Sequence, residues 1–242
     1  MDKLAAYLNK NKLVLNVQKS NFILVGTEKP DFVVKYNQES IKQCQNIKIL
    51  GVIFDNKLGF AEHLNVVSNK VAKTVGALAR VRHFLPTNVL NIVYKSLIVP
   101  QMTYGCCLWG FTYDRHKDRL SKLQKRAARL ITFSDFRASS QPILEQLVWM
   151  PIERLIGFET MKFIYKSLNS MASETQFFTR LQERRTRANN QMFLKVSNAK
   201  FTYTQNTIFH KGIKLWNNLD LSLRQSENYN IFVNSLKKYF LK

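Results

Sequence analysis

The sequence predicts a mainly α fold with a small α+β piece at the N-terminus. Three observations support this. Before about residue 60, apolar residues come in short β-branched bursts separated by turn formers. After it they recur at helical spacing almost to the C-terminus. The 242 residues, 45% of them hydrophobic, suffice for one generous domain or two small ones with cores of their own.

Taken in order, Asp2 to about Lys10 reads as a short helix that Asn11 stops. Ser20–Val25, Phe32–Tyr36 and Ile47–Phe54 read as strands. Glu28-Lys29-Pro30-Asp31 is a turn between the first two, with Pro30 where turns accept it. The third strand is expected to be buried and to end at Asp55-Asn56-Lys57. Gly51 within it suits a close approach of another backbone or a ligand. The core of these sixty residues is expected to be thin.

The helical part opens with Glu62 to about Phe84. Its apolar stripe is Leu64, Val67, Val71, Val75 and Leu78, while Lys70, Lys73 and Arg80 share another face. Leu85-Pro86 breaks that helix, and the next, from Thr87-Asn88, meets Pro100, which should end or kink it. Gln101–Gly110 is an apolar stretch expected in the core.

Asp114–Ile131, DRHKDRLSKLQKRAARLI, is the most informative helix, with Asp114 in the N-cap role. Leu120, Leu123, Ala127 and Leu130 form its apolar row. Arg115, Arg119, Lys122, Arg126 and Arg129 repeat one position away, a five-cation ridge beside the docking face. Lys117 and Lys125 add charge on other faces.

Pro142 starts a short helix to Val148, and Pro151 opens a longer one carrying Ile152, Ile156, Phe163, Ile164 and Leu168. Glu183–Gln191, with Arg184, Arg185 and Arg187, is a basic polar segment, either a loop or an arm touching nucleic acid. Residues 192–210 read as extended pieces. Helices follow around Ile213–Leu219 and Ile231–Leu241, with Trp216 and Phe232 weighted toward the core.

Charge points to a partner. Lysine and arginine number 37 against 16 aspartate and glutamate, a net +21, with a pI near 10.0. Such a chain repels itself unless an anion offsets it, so nucleic acid is the default partner and an anionic membrane the competitor. The membrane reading is the weaker. No apolar run approaches the roughly 20 residues that span a bilayer, and the ridged helix packs leucine and alanine where an interfacial helix carries bulky aromatics. Cys44, Cys106 and Cys107 fit neither a disulfide framework nor zinc-ligand spacing, and they read as reduced thiols of an intracellular protein, nuclear or cytoplasmic. Oligomeric state stays open. No cofactor motif is present in this chain: the four histidines have no metal-ligand companions, and the eight glycines form no phosphate loop.

A specific resemblance runs through these elements. Asn11-Lys12-Leu13, Leu15-Asn16 and Lys19-Ser20 are followed by Leu50-Gly51-Val52 and Asp55. Then come Leu85-Pro86, Tyr94-Lys95-Ser96-Leu97-Ile98, Pro100, Tyr104-Gly105 and Trp109-Gly110, and after them Trp149-Met150-Pro151, Tyr165-Lys166 and Leu215-Trp216-Asn217. In this order and spacing they resemble the C-terminal part of LINE-type (non-LTR, Jockey-like) retrotransposon reverse transcriptases: the end of the palm, the primer grip, the thumb and the helical region beyond. The resemblance implies a residual palm edge with a primer-grip-like hairpin over 1–60, a helical thumb-like domain over 61–170 and a basic C-terminal region over 171–242.

It also implies roles. Leu50, Gly51 and Val52 match the primer grip, and Lys19 matches a lysine thought to protonate leaving pyrophosphate. Lys70, Lys73, Arg80 and the five-cation ridge fall where the thumb holds the primer–template duplex. The family's Mg2+ is held by an aspartate pair upstream of the matched segment, and no two aspartates here are adjacent. The chain therefore reads as a truncated copy that binds nucleic acid without synthesis, Lys19 being at most a remnant acid. Two rivals stand beside it: a stand-alone basic RNA- or DNA-binding module, and a degenerate fragment with no selected function.

Overall fold

The computed structural model describes residues 2–26, 32–169, 178–180 and 192–241; the turn expected at Glu28–Asp31 and the basic segment Glu183–Gln191 lie outside them. The chain packs as two units, Met1–His63 and Leu64–Lys242. The architecture is mainly α with a small α+β N-terminal piece, as the sequence predicts.

In the first unit, α1 (Asp2–Lys10) precedes a tight turn, Val17–Lys19, whose Asn16 side chain accepts from the Lys19 N–H at 3.0 Å. Five short strands follow: β1 (Asn21–Phe22), β2 (Val34–Tyr36), β3 (Glu39–Gln43), β4 (Asn46–Ile49) and β5 (Val52–Asp55). They form a three-stranded sheet in the order β1-β3-β2 and a separate β4-β5 hairpin. β1 runs parallel to β3, with Asn21 opposite Lys42, and β2 runs antiparallel to it. The first two strands are shorter than expected. β3 was not expected at all, because Ile41 is its one apolar residue and alternation cannot show in ESIKQ.

The expected single strand Ile47–Phe54 is also corrected. Ile49 pairs with Val52, so the chain reverses at Leu50-Gly51, which have φ of 47° and 89°. Two consecutive left-handed residues make the primed hairpin turn that matches strand twist. Gly51 is thus suited to its place by backbone conformation. Leu50 bears the strain of the left-handed region and stands 88% exposed at the tip.

Asp55 ends the hairpin and fixes the exit. Its carboxylate accepts from the backbone N–H groups of Lys57 (3.0 Å), Gly59 (2.9 Å) and Phe60. Among the described residues the buried apolar side chains of this unit are Tyr36, Ile41, Val52 and Phe60, a thin core for sixty residues.

The second unit takes over within the first turn of α2 (Ala61–Val81), whose Leu64, Val71, Val75 and Leu78 are buried. After a tight turn at Arg82–Phe84, α3 (Thr87–Val93) leads into a widened π-type segment, Tyr94–Ile98, and then α4 (Val99–Thr103). Pro100 was expected to end or kink this helix. Instead the Val99 N–H donates back to the Tyr94 carbonyl five residues earlier, a wider turn in the stretch that carries an N–H-less proline.

α5 (Cys106–Trp109) follows, then α6 (Asp114–Ile131), α7 (Ser140–Gln146) and α8 (Ile152–Asn169). α9 (Thr202–Gln205), a second π-type segment (Ile208–Gly212), α10 (Ile213–Asn217), α11 (Leu221–Arg224) and α12 (Tyr229–Leu241) complete it. The region expected to be extended over 192–210 is therefore partly helical.

α8 is the hub: it packs against α4, α5, α6, α10 and α12. Gly110, beyond α5, permits one of these approaches, since a β-carbon there would collide with Ile156 of α8 and with the Cys106 carbonyl. Tyr165 of α8 stacks on Phe232 at 4.2 Å, and Trp216 and Phe232 are buried. Asn217 pins the neighbouring extended chain, accepting from the Leu194 N–H at 2.9 Å and donating to its carbonyl at 3.0 Å.

Candidate nucleic-acid interface

α6 carries two opposed jobs. On its buried side Leu120, Ala127, Ala128 and Ile131 are fully enclosed. Gln124 is buried with them, and its Nε2 donates to Tyr94 Oη at 3.0 Å and to the Met150 carbonyl at 2.9 Å. Tyr94 in turn stacks on Trp149 at 3.4 Å, and Trp149 Nε1 donates to Asn91. Burial pushes the Tyr94 hydroxyl well above the usual phenol range, so it stays a neutral hydrogen-bonding group. Motif fragments far apart in sequence, at Tyr94 and at Trp149-Met150, thus meet Gln124 of α6 in one node that fixes the helix's rotation.

That rotation turns the ridge outward. Arg115, Arg119, Lys122 and Arg126 are exposed and Arg129 is half-buried. Among the described residues the ion pairs are Lys117–Asp114 (2.9 Å) and Lys162–Glu159 (2.8 Å), neither on the ridge. The N-cap is Tyr113 rather than Asp114, which instead pairs with Lys117; that hydrogen bond and charge hold the Asp114 carboxyl below the usual range. Lys117 is not a surface charge. It is buried and donates to the Gly110 carbonyl at 3.0 Å.

Two side-chain contacts link α2 to α6: Arg119 donates to Asn69 at 2.8 Å, and just past the ends of the two helices the Arg82 guanidinium sits 5.2 Å from the Phe133 ring centroid. Lys70 and Lys73, exposed on α2, follow directly on Asn69, and Arg80 is exposed one to two turns further on. Sequence reasoning missed Asn69, Arg82 and Phe133 as members of this surface, and Phe136 beyond its end. An isolated phenylalanine inside the polar break after α6 was the available signal for the last.

The other expected site residues sit apart. Lys19 is exposed at the end of its turn, and Leu50 and Gly51 are exposed at the hairpin tip with Val52 buried beneath them. Arg184, Arg185 and Arg187 lie outside the described residues. Among the described residues no three or more His, Cys, Asp or Glu side chains gather to hold a metal ion. No described helix is long and apolar enough to cross a membrane.

Comparison with known proteins bears on this geometry. The chain is 32% identical over 123 residues to the probable RNA-directed DNA polymerase from transposon X-element of Drosophila melanogaster, covering 49% of this chain and 13% of that protein. It is 27% identical over 104 residues to the RNA-directed DNA polymerase from mobile element jockey of the same organism, 41% of this chain and 11% of that protein. A third, the probable RNA-directed DNA polymerase from transposon BS, is 24% identical over 166 residues, 66% of this chain and 18% of that protein.

Over part of its length the chain is similar to RNA-directed DNA polymerases of Drosophila non-LTR mobile elements. Its matched stretches span between a tenth and a fifth of these relatives' lengths. No protein-family model and no solved structure matches it.

Proposed function

We propose that the helical unit of this reverse-transcriptase-like chain is a thumb-like module that grips a nucleic-acid duplex along the α2–α6 face, and that this chain alone makes no DNA. The observation that carries the reading is the α6 ridge, five cations on one helix face with no carboxylate at ion-pair distance among the described residues. A row of that kind, flanked by Lys70 and Lys73, suits the regular phosphate spacing of a duplex backbone. The partial likeness to RNA-directed DNA polymerases supports nucleic acid as the partner.

If each ridge cation neutralises about one phosphate, counterion release gives a log–log salt slope of about −4 to −5 on duplex DNA. The test is fluorescence anisotropy of a labelled duplex across a salt series, with parent and with Arg119→Glu plus Arg126→Glu. The double variant should weaken binding about equally for different sequences and flatten the slope by roughly two, because phosphate contacts position without reading bases. Its buried row is untouched, so helix content should match the parent. A normally folded double variant with the parental slope would refute the interface. Incubated with a primed RNA template and magnesium, the same protein should extend no primer; clean extension would overturn the second half of the proposal.

A further inference from the structure

Resting on that duplex reading, we infer that the C-terminal end of the α6 ridge is also a site for an unpaired nucleotide, its phosphate held by Arg82 together with the last two ridge cations, Arg126 and Arg129, and its base stacked on Phe136. Here the surface stops being a straight row and becomes concave. Arg82, Arg126, Arg129, Leu130, Ser134 and Phe136 line a cleft of about 400 Å3, within the range of small-ligand sites, and no acidic residue lines it.

Two of the three guanidinium groups are already fixed. Arg129 Nε donates to the Ala138 carbonyl at 2.9 Å, and Arg82 Nε approaches His83 Nε2 at 3.2 Å while its guanidinium packs over Phe133. Both contacts use Nε, which leaves the planar Nη fork for a phosphate at little further cost in side-chain order.

The backbone is arranged to bring Phe136 to the same place. α6 ends with Phe133 at φ 55°, a costly conformation for a bulky residue, and the Ser134 N–H closes back onto the Arg129 carbonyl at 3.1 Å. The Arg82 guanidinium and the His83 ring, 5.7 Å away, hold Phe133 there. The chain then turns tightly, with the Asp135 carboxylate accepting the Arg137 N–H at 2.7 Å within that turn. Phe136 emerges 76% exposed, with the Arg137 guanidinium 5.3 Å from its ring centroid.

A phenyl ring beside an arginine-lined cleft has little to do on a duplex, whose base faces are hidden in the stack. It has a partner wherever a strand end or overhang leaves a base unstacked, because every base offers a π-face. The ridge would then hold paired nucleic acid and the cleft the strand that leaves it.

The experiment compares a blunt duplex with the same duplex carrying a short single-stranded overhang, 3′ or 5′, by anisotropy with the full chain. The parent should bind one overhang form about tenfold more tightly than the blunt form, the scale of one base–aromatic stack. Phe136→Ala should abolish that preference while leaving blunt affinity unchanged, and Phe136→Trp should retain it. Circular dichroism confirms that both variants fold. Equal binding of blunt and overhang forms by the parent, or a Phe136→Ala variant that keeps the preference, overturns the site and leaves the duplex interface standing. Loss of blunt binding in the parent itself removes the interface and the cleft together.

Discussion

Replacing Asp55 with alanine should bring the N-terminal unit near its unfolding midpoint and leave the helical unit intact. The carboxylate accepts three backbone N–H groups, those of Lys57, Gly59 and Phe60, the last two part-buried. Alanine strands all three. The exposed Lys57 N–H recovers water, but each of the other two costs about 1–3 kcal/mol to leave unmet, so Asp55→Ala should cost about 3 kcal/mol. Asparagine keeps Oδ1, which already serves Lys57 and Gly59, and loses the Phe60 bond and the charge, for about 1 kcal/mol. Against this stands a unit of some sixty residues with four buried apolar side chains among those described, whose stability belongs near the low end of the usual range, about 3–4 kcal/mol. The alanine variant should therefore sit near its unfolding midpoint, and the asparagine variant should stay folded. Hydrogen exchange on the full chain reads both units at once. In Asp55→Ala the amides of β4 and β5 should lose protection while those of α6 and α8 keep theirs, and duplex binding should persist. Unchanged protection in β4 and β5 would refute the assignment of Asp55 as the residue that holds this loop.

Two further outcomes concern the same unit. Burial holds His63 below its ordinary pKa of 6.5, and its Nδ1 accepts the Ile53 N–H at 3.4 Å, so the folded state keeps it neutral. Below about pH 6.5 the unfolded chain binds a proton that the folded unit refuses. Stability is therefore complete above that pH and falls below it; urea midpoints against pH should show this, and His63→Gln should remove it. Leu50→Asn should raise stability by roughly 0.5–1 kcal/mol, because Asn-Gly suits two left-handed positions and the leucine it replaces is almost wholly exposed. A destabilised Leu50→Asn variant in urea unfolding would mean that the tip leucine packs in solution.

How legible each part was depends on the reach of the contacts that make it. α2, α6 and α8 were readable because their apolar rows repeat locally, and Leu64, Val71, Leu120 and Ile156 are buried as that period requires. The reversal at Leu50-Gly51 was not, because leucine is a poor turn residue and IKILGVIF reads as one apolar run. Lys117 and Gln124 looked like surface residues of a charged helix. Both are buried because backbone acceptors outside the helix meet them, the Gly110 carbonyl for one and the Met150 carbonyl for the other, and the pattern within α6 announces neither.

The candidate interface divides the same way. Five cations spaced along one helix declare a face wherever that helix docks. The surface they join depends on Arg119 reaching Asn69 and on Arg82 reaching Phe133, partners some fifty residues apart. Those contacts link α2 to α6 and turn a row of charges into a surface with two ends. One end is straight and open, suited to a backbone of regular phosphates. The other is a cleft with an exposed phenyl ring, suited to a strand no longer paired. The buried node at Gln124 sets which way α6 faces, and the strained residue after it, Phe133, sets where the cleft falls. A change in the node should rotate ridge and cleft together, whereas a change at Phe133 or Phe136 should reach the cleft alone. The two ends of the surface are separable by mutation even though one helix carries both.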